Sequence, residues 1–189
     1  MSSTDPKPLP SLGFLTVVQY EQHGFLGGYL VLNTSGRPLE FHCTAPVKPN
    51  RAQEILYGPT LEPYLYGEQI GQALIAKSQL EPLVICTDLA PVLAVREYVS
   101  MPVTLVVQAE ATPAGASEAS RVYRVDAAAE RLKGPIFSLG QNRLAIAPAH
   151  AADRERVTAA LTPLSEHFDL SEPFERIRGA IDEAQRSGR

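Results

Sequence analysis

No tryptophan occurs among the 189 residues, and cysteine and methionine occur twice each. No stretch approaches the ~18 consecutive apolar residues that a membrane-crossing helix needs, which excludes a helical span. The start, Met1 to Pro10, is polar and proline-rich, without the apolar core of a secretory signal. A reducing, cytoplasmic location is therefore expected, and it disfavours a disulfide between Cys43 and Cys86. The histidines His23, His42, His150 and His167 follow no HExxH spacing, and no CxxC accompanies them, so no metal site is expected. No GxGxxG or GxxxxGKS/T phosphate loop and no GxSxG elbow is present, and no cofactor is expected. Gly24-Phe25-Leu26-Gly27-Gly28 is glycine-rich, but it reads as part of a hairpin and lacks the helix N-terminus that binds phosphate.

Positive charge is also scarce where most of the chain lies. The net charge is −4, with 6 basic and 11 acidic side chains in residues 1–120 and 11 basic and 10 acidic in residues 121–189. The first part is unsuited to nonspecific attraction to phosphate, so nucleic acid is not an expected partner. The stretch Arg121 to Arg143 has a small basic surplus. It reads first as a solvated hairpin face and second as an anion surface.

What the chain does contain is an orderly alternation of element signals. Its length fits one domain, and 44% hydrophobic with 20% charged residues is ordinary for a globular protein. Residues 1–12 are expected to form a disordered tail. Gly13 to Glu21, Phe25 to Asn33 and Leu39 to Val47 read as three strands joined by short turns, an antiparallel meander. The Gly27-Gly28 pair implies a bulge or a close backbone approach. Asn50 with Gln53 three residues on makes a capping box for a helix ending at Gly58. Thr60 is expected to cap a second helix, with Leu61, Leu65, Ile70 and Leu74 on one face. Pro82 to Thr87 reads as a strand covered on both faces, Asp88 as the cap of a short helix to Tyr98, and Pro102 to Gln108 as a further strand. Residues 13–110 thus form an α/β core, and 111–120 a loop or linker. Residues 121–189 form a β-hairpin (Arg121 to Asp126 and Asn142 to Ala147) plus C-terminal helices packed on the core. Ser171 caps the last helix, whose Phe174, Ile177, Ile181 and Ala184 share a face.

The expected fold class is α+β: a three-strand meander followed by helices and a βαβ unit in one mixed sheet. Over residues 13–108 the order of elements resembles the ribonuclease H-like fold. Ribonuclease H-like nucleases hold two metal ions between several carboxylates, the first of them inside strand 1. The run Phe14-Leu15-Thr16-Val17-Val18 has no acid. The resemblance leaves Glu21, Glu54 and Asp88 as catalytic candidates, which would have to converge. Their plainer readings are a strand end, a solvated helix residue and a helix cap.

Two other surfaces are candidates for contact. Tyr57, Tyr64 and Tyr66 form the densest aromatic segment, and tyrosine is favoured at interfaces. Phe174, Ile177 and Ile181 give the terminal helix an apolar face that either docks on the domain or meets a partner. A thiol nucleophile is disfavoured: neighbours in an extended strand point apart, so His42 cannot serve Cys43, and burial would raise the Cys86 pKa. The expectation from sequence is a non-catalytic intracellular module whose partner is another protein or a second copy. The alternative is a metal-dependent nuclease or phosphohydrolase.

Overall fold

The computed structural model describes residues 10–107, 133–164 and 167–187. Residues 1–9 of the expected tail, the loop 111–120 and the strand Arg121 to Asp126 lie outside them, whereas Ser11 and Leu12, expected in that tail, open the first strand and are buried. Seven strands form one mixed sheet: β1 (Ser11–Tyr20), β2 (Gly24–Asn33), β3 (Pro38–Cys43), β4 (Ile85–Thr87), β5 (Val103–Val106), β6 (Phe137–Leu139) and β7 (Asn142–Ala145). Their order is β3-β2-β1-β4-β5-β7-β6. The fold is α+β, and its first five strands have the ribonuclease H-like arrangement. β2 runs antiparallel to β1 and β3, whereas β4 and β5 run parallel to β1. The meander therefore grows to one side of β1, and the chain then crosses over to place β4 on the other side.

Alternation along the strands makes two cores. Leu12 and Phe14 of β1, Leu30 and Leu32 of β2, and Cys86 of β4 face one side. There they meet Val157 and Leu161 of α3 (Asp153–Leu161) and Phe174, Ile177 and Ile181 of α4 (Glu172–Ser187). Leu15, Val17, Tyr29, Val31 and Ile85 face the other side, against Ile70, Leu74 and Val92. The pattern is the period of two expected of a sheet covered on both faces.

The helices between β3 and β5 depart from the sequence expectation in detail. α1 (Arg51–Tyr57) has the expected capping box: Gln53 N–H donates to Asn50 Oδ1 and Asn50 N–H to Gln53 Oε1, both at 2.9 Å. Gly58 follows it with a positive φ of 48°. Thr60 does not cap the second helix; its hydroxyl donates to the Tyr57 carbonyl at 2.8 Å. That helix runs as π-helical turns over Pro63–Gln72 into α2 (Ala73–Lys77), and the segment before β5 is a 3₁₀ helix, Ala90–Glu97, with Pro91 in its first turn. A strand absent from the sequence reading, β6, pairs with β7.

The Gly27-Gly28 pair is a close approach from both sides. A Cβ on Gly27 would lie 2.1 Å from Ile70 Cγ2, and one on Gly28 would lie 2.3 Å from Ile177 Cγ2. Only a strand without side chains at these two positions lets both helical layers settle on β2.

Candidate functional site

The strand order reverses between β1 and β4, and such switch points leave a crevice at the carboxyl ends of the strands. Thr16 is the one polar residue in the run Phe14 to Val18, and its side chain faces α4 with Phe14. The register Leu15↔Thr87 brings the next residues, Thr16 and Asp88, side by side. The Thr16 hydroxyl donates to Asp88 Oδ1 at 2.7 Å. Asp88 Oδ2 accepts from Nη2 of Arg178 on α4, and Arg178 Nη1 donates to Glu175 Oε1 at 2.8 Å. The Asp88 side chain is 2% exposed, whereas that of Arg178 is 31% exposed and reaches the rim. One turn along α4, Asp182 accepts from the Tyr20 hydroxyl. Burial, helped by that carboxylate, pushes the Tyr20 phenol up to about 12.

Asp88 is therefore not a helix cap. The turn after β4 is held by Thr87, whose Oγ1 accepts from Leu89 N–H at 3.2 Å, and the 3₁₀ segment has no side-chain cap. A carboxylate this buried is stable only when paired, and the forked guanidinium supplies the pairing.

The three acids read from the sequence do not meet. Glu21 stands in the turn after β1, five residues beyond Thr16, a span of about 17 Å along an extended strand. Glu54 is exposed on α1 and pairs with Arg51 at 3.0 Å. Asp88 alone occupies the switch point. The residues that join it, Thr16 and Arg178, were not singled out from sequence. The available signals were a lone hydroxyl in an apolar strand and an arginine flanking the apolar stripe of α4.

The two divalent cations of a ribonuclease H-like nuclease do not fit these residues. Strand 1 offers a neutral hydroxyl, and both Asp88 oxygens are taken. Among the described residues no three of His, Cys, Asp and Glu are grouped to hold a metal ion.

The contact surfaces expected from sequence are also revised. Phe174, Ile177 and Ile181 are 0%, 0% and 1% exposed, because α4 docks them on its own sheet; they present no face to a partner. Tyr57 and Tyr64 stack with centroids 4.0 Å apart, Tyr66 packs on Phe25 at 5.4 Å, and all three rings are half-buried. The most exposed large apolar residues among the described residues are Ile55 and Leu56 on α1. Cys43 is exposed, and His42 Nε2 lies 3.2 Å from Glu40 Oε2. Burial pushes the Cys86 thiol up to about 12, which leaves it inert near neutral pH. Among the described residues no helix is long and apolar enough to cross a membrane.

No protein-family model and no curated protein matches the chain. Solved structures similar to it include the catalytic domain of human endonuclease V. That likeness has 12% identity and a TM-score of 0.49, covering 94% of this chain and 85% of that one. Ciona intestinalis endonuclease V, solved with a 23mer DNA containing an inosine followed by a ribo-adenosine, is 14% identical with a TM-score of 0.49. It covers 94% of this chain and 87% of that one. Identity this low speaks to fold alone. Even so, these findings correct the expectation of a non-catalytic protein-interaction module with protein as its partner and nucleic acid set aside: the similar structures are nucleases, and one holds DNA.

Proposed function

We propose that this chain is a nucleic-acid-acting domain of ribonuclease H-like type, which engages a phosphodiester at the carboxyl end of β4, beside the middle of β1. The observation that carries this reading is the Thr16–Asp88–Arg178 cluster at the switch point of the sheet. A buried carboxylate and a strand hydroxyl there hold a partly exposed guanidinium in place. Ligands of open α/β sheets gather at this position. An arginine fork matches the geometry of a phosphate, and Asp88 fixes its orientation. The net charge of −4 opposes attraction over the rest of the chain and keeps binding weak, and the guanidinium–phosphate contact makes it salt-dependent.

The test uses the full chain with labelled single- and double-stranded oligonucleotides, one set containing inosine because a similar structure holds such a DNA. Retention that weakens as salt rises supports the reading, and a shortened product assigns the activity as nuclease. Neither binding nor cleavage of any of these at low salt would overturn it.

A further inference from the structure

Resting on that reading, we infer that the Arg178 guanidinium stands where ribonuclease H-like nucleases hold their divalent cations, so the site meets phosphate without binding a metal ion of its own. Charge balance leads to this assignment. Two divalent cations need several carboxylates around them. Here the strand ends supply one, Asp88, beside the neutral hydroxyl of Thr16. A single buried negative charge is matched by a single positive one, and Arg178 provides it. A divalent ion at Asp88 would have to displace the guanidinium and then lie against it.

Arg178 also has capacity to spare. Two of its N–H groups go to Asp88 and Glu175, and a guanidinium carries five. Its partner at the rim, Glu175, is 73% exposed and free to swing aside, whereas Asp88 is fixed beneath. The result is a cationic fork anchored from below and open from above.

Two measurements on the full chain test this. The first titrates Mn2+ into the protein without nucleic acid and follows free Mn2+ by electron paramagnetic resonance. No stoichiometric binding is expected; an ion that binds the native chain and is lost in Asp88→Asn would overturn the inference alone. The second compares oligonucleotide affinity in EDTA and in Mg2+. Equal affinity is expected, with a loss of about fivefold or more in Arg178→Lys, which keeps the charge against Asp88 and loses the fork. Unchanged affinity in Arg178→Lys, at an unchanged thermal midpoint, would overturn it. Failure of every oligonucleotide to bind would instead overturn the function on which it rests.

Discussion

Among the described residues two arginine–aspartate pairs bridge distant parts of this molecule, and they differ in what surrounds them. Arg96 donates from Nε to Asp153 Oδ2 at 2.6 Å and from Nη2 to Oδ1 at 3.3 Å, while its Nη1 reaches the Val99 carbonyl at 2.8 Å. All three nitrogens are engaged, and the side chains are 19% and 8% exposed. That pair is a clamp between the 3₁₀ segment and α3. Arg178 meets Asp88 through one nitrogen, leans on an exposed glutamate, and shares its carboxylate with a strand hydroxyl. A pair whose three guanidinium nitrogens all have partners holds structure; a part-exposed arginine with a nitrogen left over has something further to bind.

The contrast can be broken by substitution. The largest effect is expected for Arg96→Met, which strands the buried Asp153 carboxylate. Loss of one partner of a buried pair costs about 3–5 kcal/mol, and Arg156, 3.6 Å from Asp153, brings the expectation to the lower end. Urea denaturation measures it, and a loss below that for Arg178→Met would reverse the assignment of roles. Arg178→Met likewise strands a carboxylate, Asp88 at 2% exposure, and is expected to cost about 2–3 kcal/mol, less only because Thr16 still donates to it and the partly solvated place of Arg178 lets water reach it. Thr16→Val removes one hydrogen bond to a buried carboxylate and is expected to cost about 1–2 kcal/mol by the same assay. A larger loss in the Arg178→Met background than alone would show that the two donors back each other up.

The smallest effect sharpens the comparison through pH. Glu40 accepts from the Ser78 hydroxyl at 2.7 Å, from His42 and from Gln79 N–H, which hold its carboxyl below the ordinary value of 4.5. A depressed folded value means that the stabilisation is present above the unfolded value and is lost as pH falls through the folded one. Glu40→Gln is therefore expected to lower stability by about 1 kcal/mol at pH 7 and by progressively less in acid. Equal losses at both ends of a pH series of thermal midpoints would refute it.

The sheet was readable from sequence because strand period, turn residues and the Asn50–Gln53 box are local signals. The Gly27-Gly28 pair was readable for the same reason, although its partners Ile70 and Ile177 were not. The site was not legible. Thr16 and Asp88 are 72 residues apart, and Asp88 and Arg178 are 90 apart, so only the crossover and the docking of α4 bring them together. Asp88 looked like a helix cap because it follows a strand and precedes a helical segment. Thr87 took that task and released Asp88 for another. The π-helical turns and β6 left no periodic mark in the sequence.

The bare backbone at Gly28 of β2 bears on the chemistry at the end of β4, two places away in the sheet. It seats Ile177, and the next residue of α4 is Arg178. A methyl group there would lift the helix and draw the guanidinium away from its carboxylate. The ionic chemistry at the end of β4 thus depends on β2 having no side chain at one position.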